Sequence, residues 1–266
     1  MNALPLDPLD LVLASLLVLA LGLSSLRLGL GVGRSLATGA ARTTLQLLLA
    51  GLVLKALFAS RSPWLIGLAA AVMLTVAGRE VRARQSRPFL GPWGYTLGLS
   101  AMFISGFAVT LFALLALLRP DPWYHPRYAL PLLGMILGNT MNGVGLALER
   151  LGSGAEQRRR QIEAALLLGQ DWREASAPLR RESVRAGMVP VLNSLASAGI
   201  VSLPGMMTGQ ILAGADPSQA VMYQILIMFL IAAGSGFGGV AAVQLGARRL
   251  FDERERLRLD RLGRRD

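Results

Sequence analysis

Residues 219–246 read QAVMYQILIMFLIAAGSGFGGVAAVQLG, a run without a charged side chain. A helix needs about 20 apolar residues to span the hydrocarbon core of a bilayer, so this run crosses with residues to spare. The same test picks out segments near 9–30, 40–58, 63–78, 93–118, 129–148 and 187–213. The expected fold class is therefore all-α: a polytopic integral membrane protein of about seven transmembrane helices. Composition agrees, since 53% of the 266 residues are hydrophobic and the mean hydropathy is +0.50. The segment near 63–78 is the short one. Its uncharged stretch, Ser62 to Gly78, is close to the lower limit for crossing, which leaves six or seven spans open. The leading residues contain Asp7 and Asp10 and no base, unlike a cleaved signal peptide, so the first run is expected to stay.

The net charge of +11 raises nucleic acid as a partner. The arginines, however, flank hydrophobic spans and carry no interleaved aromatics, so no nucleic-acid partner is expected. They describe topology instead. With seven spans and the C-terminus inside, 23 of the basic residues lie inside and 4 outside; with six spans the ratio is 22 to 5. Either count puts residues 150–186 and the basic tail, 251–266, in the cytoplasm. The tail mixes Arg with Asp and Glu at helical spacing and is expected to extend the last helix into solvent or along the lipid surface. Residues 1–250 form the transmembrane domain.

There is no cysteine, one histidine (His125) and one lysine (Lys55). Disulfides and Cys/His zinc sites are excluded. His125 and Asp121 are too few for a dedicated metal site, and the loop aromatics Trp123 and Tyr124 read as headgroup-level anchors. Lys55 lacks the glycine-rich context of a phosphate-binding loop, so ATP is not bound here by that device. Without an acid inside any span, neither a proton relay nor membrane-enzyme chemistry has its residues.

Within 150–186, residues Glu156 to Leu168 are helix formers stopped by Gly169, and Asp171 with Glu174 caps a second short helix that Pro178 limits. Ile162, Ala165, Leu166 and Gly169 share one side of the first helix, expected to be a knob for a protein groove or a face resting on lipid. In the membrane, Asn139 and Asn142 lie on one face with Met135 and Leu146. That face is suited to line a path or to tie helices together, with Gly134, Gly138 and Gly143 permitting close approach. Pro204 and Gly205 are expected to interrupt the sixth span and present Met206, Met207, Thr208 and Gln210 near the gap; the other reading is a kink with a Gly205/Gly209 contact. Gly234, Gly236, Gly238 and Gly239 read as packing.

Glu163-Ala164-Ala165, three residues, then Gly169 resembles the EAA loop with which ABC-transporter permeases dock on their ATPase. Gly138-Asn139-Thr140-Met141-Asn142-Gly143, Ser202 to Gln210 and Ala213-Gly214-Ala215-Asp216-Pro217 together resemble FetB-type permeases, associated with iron export. The resemblance covers most of 130–245. It implies a multi-pass permease of the bacterial cytoplasmic (inner) membrane, not itself an enzyme, working as two permeases plus two ABC ATPase subunits that bind ATP and Mg. On this reading Glu163, Ala164, Ala165 and Gly169 couple to the ATPase, while Asn139, Asn142, Pro204, Gly205, Met206, Met207, Thr208 and Gln210 flank the substrate path. An importer permease for another small solute and a non-transporting scaffold for an ATPase are the alternatives. The metal site is unassigned: iron prefers oxygen and nitrogen ligands, whereas methionine thioethers suit softer ions such as Cu(I).

Overall fold

In a computed structural model the chain is described over residues 7–60 and 62–263. Residues 1–6, part of the leading segment expected to be retained, Arg61, Arg264 and Arg265, used in the charge count, and Asp266 lie outside these. The order is α1 (Pro8–Arg27), α2 (Gly33–Ala59), α3 (Pro63–Ala83), α4 (Trp93–Met102), a π-helical turn (Phe103–Phe107), α5 (Ala108–Phe112), a second π-helical segment (Ala113–Leu118), α6 (Pro126–Gln157), α7 (Arg159–Leu167), α8 (Trp172–Ala175), α9 (Ala177–Ser197), α10 (Gly205–Leu212), α11 (Pro217–Arg249) and a 3-10 turn (Leu259–Arg261).

The residues fall into two compact units. The smaller holds α1 and α2 with residues 209–215. In α1 the Asp7 N–H donates to Asp10 Oδ2 at 2.9 Å, and the turn into α2 uses Gly29 and Gly31 at φ of 63° and 68°. Almost all the leucines of both helices are exposed, as lipid-facing helices require.

The larger unit is built on α6, α9 and α11. Gly143 of α6 and Gly187 of α9 cross backbone on backbone: a Cβ on Gly143 would meet the Gly187 oxygen at 2.7 Å, and one on Gly187 the Gly143 oxygen at 2.6 Å. Gly234 and Gly238 of α11 lie against Thr140, and Gly246 against Leu151. The packing role expected of Gly234 and Gly238 is thereby met, and small residues let these helices approach closely. Among the described residues no atom lies within 4 Å of a Cβ added at Gly138, Gly205, Gly209 or Gly239. One apolar cluster joins Val81, Leu97, Met102, Leu148, Leu151 and Val243 with α3 and α4; a second joins Val109, Leu114, Ile136, Val191 and Ile227.

Six helices among the described residues are long and apolar enough to cross a membrane, one of them continuous from Trp93 to Leu118 through both π segments. Together they make the chain an all-α polytopic membrane protein. Segment three passes this test; segment six does not. Residues 187–213 are not one helix, because α9 ends at Ser197 and α10 begins only at Gly205. The first turns of α9 also carry Arg180, Arg181, Glu182 and Arg185, which lower its hydropathy. Yet α9 runs antiparallel to α6, with Glu182 paired to Arg150 and Gly187 beside Gly143, while α11 runs parallel to α6. It thus supplies the return path between them.

The break itself differs from expectation. Gly199, at φ 83°, follows the α9 C-cap Ala198, and its N–H donates to the Ser202 carbonyl at 2.9 Å. The helix ends where Ala198 turns extended, at φ −63° and ψ 130°, and the left-handed Gly199 then folds the chain into the 199–202 turn. Pro204 instead opens α10, its carbonyl accepting from the Thr208 N–H at 3.1 Å.

Candidate functional site

The C-terminal ends of α6 and α11 and the N-terminal end of α9 gather at one arginine-rich end of the larger unit, where α7 sits. The α7 stop has a defined hydrogen-bond pattern. Gly169 N–H donates to the Leu166 carbonyl at 3.0 Å and Gln170 N–H to Ala165 at 3.2 Å, with Gly169 at φ 89°. This is a Schellman arrangement, whose left-handed residue is glycine because a Cβ is strained there. Asp171 accepts from the Glu174 N–H at 2.7 Å to start α8, and Pro178 stands in the first turn of α9.

The side of α7 expected to dock is turned inward. Ile162 is buried, and Ala165 and Leu166 pack on the same cluster as Leu179 and Phe251. What faces out is Arg160, Gln161, Ala164, Leu167 and Leu168, the opposite side at helical spacing. Leu167 is 88% and Leu168 85% exposed. Glu163 lies between the two sides, accepting from Arg159 Nε at 2.8 Å.

The tail is not a helical extension, and it supports α7. Phe251 is buried, its ring 5.8 Å from that of Trp172, and Leu257, Leu259 and Leu262 join the core. Arg173 and Arg180 lie over the Trp172 ring at 5.5 and 5.7 Å. Leu90 N–H donates to the Arg261 carbonyl at 2.9 Å and Gly263 N–H to Pro88 at 2.8 Å, so the tail straps the 88–90 loop. Asp252 holds the turn: its carboxylate accepts the Arg256 N–H at 2.9 Å, the Arg254 N–H at 3.0 Å and the Arg256 guanidinium at 2.9 Å. The Arg256 backbone N–H and then its guanidinium hold the Asp252 carboxyl down at about 2, against an ordinary 3.8. Arg258, hydrogen-bonded to Asp260, lowers the Asp260 carboxyl in the same way.

The loop after α3 grips α6 at regular intervals. Arg84 donates to Asn142 Oδ1, Ser86 gives its N–H and hydroxyl to the Glu149 carboxylate at 2.6 Å each, and Arg87 pairs with Glu156. The three acceptors are two turns apart on one face, and Gly152 between them lies 2.9 Å from the Arg87 oxygen on the same test of a built Cβ.

The expected path residues have the following local surroundings among the described residues. Asn142 is engaged by Arg84, and exposed Asn139 donates back to the Met135 carbonyl at 2.8 Å. Met207 is buried, Met206 packs on the second cluster and Thr208 donates to Pro204. The Gln210 Oε1 is buried without a hydrogen-bond partner among the described residues. No group of three or more His, Cys, Asp or Glu side chains fit to hold a metal occurs among the described residues. Sequence reasoning missed the Trp172–Phe251 support and the Leu167–Leu168 pair; the signal for the latter was two leucines immediately before a helix-ending glycine.

A sequence model of an uncharacterised protein family, UPF0014, matches residues 8–251. The chain is 40% identical over 232 residues to a UPF0014 membrane protein of Synechocystis, covering 86% of this chain and 88% of that one. It is 32% identical over 253 residues to the probable iron export permease protein FetB of Escherichia coli, covering 93% of each. It is 34% identical over 253 residues to the UPF0014 membrane protein YjkA of Bacillus subtilis, covering 95% and 98%. No solved structure matches the chain.

Proposed function

The chain belongs to the UPF0014 family of membrane proteins, and from that membership we propose that it is the permease subunit of an ATP-driven transporter that exports iron or a related metal. It sits in the bacterial inner membrane with its arginine-rich end and C-terminus in the cytoplasm, as the positive-inside bias supports. A separate ABC ATPase binds ATP and Mg and does the hydrolysis; this chain is not an enzyme. Two permeases and two ATPases form the working complex. The likeness to FetB supports the iron assignment.

The observation that carries the reading is α7. Its inner side is fixed to the core through Ile162 and Leu166, and its outer side ends in exposed Leu167 and Leu168 beside the Arg159–Glu163 pair. A rigidly mounted apolar pair with a charged rim is the form that a protein groove accepts. Movement of the ATPase would pass through α7 and α8 into α9 and so to the break at 198–204.

The test is reconstitution of the purified permease with its ATPase in liposomes, reading iron efflux and ATP hydrolysis together. Leu167→Asp with Leu168→Asp is expected to abolish ATPase assembly, and Glu163→Ala to uncouple hydrolysis from efflux, both with insertion unchanged. Coupled transport retained in both variants would sink the proposal. Dependence on an extracytoplasmic binding protein would mark an importer; hydrolysis indifferent to any solute, a scaffold.

A further inference from the structure

At the arginine-rich end, α9 and α11 flank a cavity of 470 Å³ lined by Arg180, Arg181, Arg185, Val184, Val240 and Gln244. Its volume is within the range of about 300–1,000 Å³ usual for small-ligand sites. The three arginines are not equivalent. Arg180 is committed, donating to Gln244 at 2.8 Å, to the Arg173 carbonyl at 2.7 Å and to Ser176 at 3.2 Å. The side chains of Arg181 and Arg185, one turn apart and exposed, make no ion pair or hydrogen bond with another described residue. The neighbouring carboxylate, Glu182, is held by Arg150 and Arg158 and does not neutralise them.

Away from the arginines the same faces turn apolar. On α9 the row Arg181, Arg185 continues at helical spacing to Val189 and Leu192, and on α11 the row Gln244, Val240 continues to Phe237. Val189, Leu192 and Phe237 are all exposed. Two free cations at the mouth of an apolar strip match one ligand chemistry, a phosphate carrying a hydrocarbon chain.

We propose that this cavity binds an anionic phospholipid, its phosphate held by Arg181 and Arg185 and an acyl chain lying along Val189, Leu192 and Phe237. The unsatisfied guanidinium groups select for an anion, and the exposed apolar residues beyond them select lipid over free phosphate. Because Arg180 links the cavity to the Trp172 ring, a seated lipid also braces α8 beside α7.

The full-length protein is compared in nanodiscs of phosphatidylcholine alone and with phosphatidylglycerol, reading retained lipid by native mass spectrometry and the thermal unfolding midpoint. Wild type is expected to retain phosphatidylglycerol selectively and to unfold at a higher temperature with it. Arg181→Gln with Arg185→Gln should weaken retention by roughly tenfold or more, and Phe237→Ser should weaken it at unchanged charge. Arg254→Gln, in the exposed tail turn, should leave it unchanged. Equal retention in the double arginine variant, an equal loss in Arg254→Gln, or equal protection by soluble glycerol phosphate would each overturn the proposal. None of these readouts depends on ATP hydrolysis or transport.

Discussion

At Gly143 and Gly187 two backbones meet with no room for a methyl group between them, and neither helix can yield without lifting off the other. Gly187→Ala is expected to lower stability by about 1–3 kcal/mol, the usual range for overpacking, whereas Gly138→Ala on the same α6, where the space is open, should be neutral. Thermal unfolding of the two purified variants checks this. Gly169→Ala acts through backbone strain rather than space and should cost about 1–2 kcal/mol, read as faster hydrogen exchange at 166–170. Asp252 adds a pH dependence. Its folded pKa, about 2, lies below the ordinary 3.8, so its stabilisation is complete above 3.8 and is lost as pH falls through 2. Tail amides 251–262 are therefore expected to stay protected from exchange at mildly acidic pH and to lose part of that protection between about pH 3.8 and 2, while Asp252→Asn loses it at neutral pH. Which glycines pack was only partly legible in the sequence. Gly234 and Gly238 could be read because they recur along one apolar span. Gly187 could not, since its partner is 44 residues away and the crossing point depends on where α9 starts. Asn142 shows the same limit: nothing local indicates that Arg84 engages it.

At the scale of elements, α7 was legible at its Gly169 end but not in its start, since Glu156 and Gln157 still belong to α6 and α7 begins at Arg159, nor in its orientation. The Leu-Leu-Gly ending and the Asp171 cap set the helix, because both signals are local. The sequence assigned the one apolar side it showed, Ile162, Ala165 and Leu166, to a partner or to lipid, whereas the core took it. The tail was misread for a related reason. Alternating charges suit a solvated helix, but Phe251, Leu257, Leu259 and Leu262 gain more by burial against Phe89 and Trp172, each fully buried side chain contributing about 1.5–3 kcal/mol. Phe251→Ala is therefore expected to cost about 3–5 kcal/mol and to loosen α7 and α8 together, read as loss of Trp172 fluorescence ordering with transmembrane helix content retained.

Over the whole molecule, hydropathy located the long helices because lipid rewards apolar length. It misplaced the sixth segment: 187–213 joins the second half of α9, the break and α10, and leaves out the first turns of α9, which carry four charged residues. The path of α9 predicts that Ile200 and Arg254 lie on opposite membrane faces. The chain contains no cysteine, so Ile200→Cys and Arg254→Cys can be labelled one at a time with an impermeant maleimide. Labelling from the same side would refute the seventh crossing.

The grip of the 84–87 loop on Asn142, Glu149 and Glu156 sets a limit on how such a molecule changes shape. Sliding α3 along α6 by a single turn would unseat three polar contacts at once. Shear between these two helices is therefore opposed at this end, which favours their moving together as one lever.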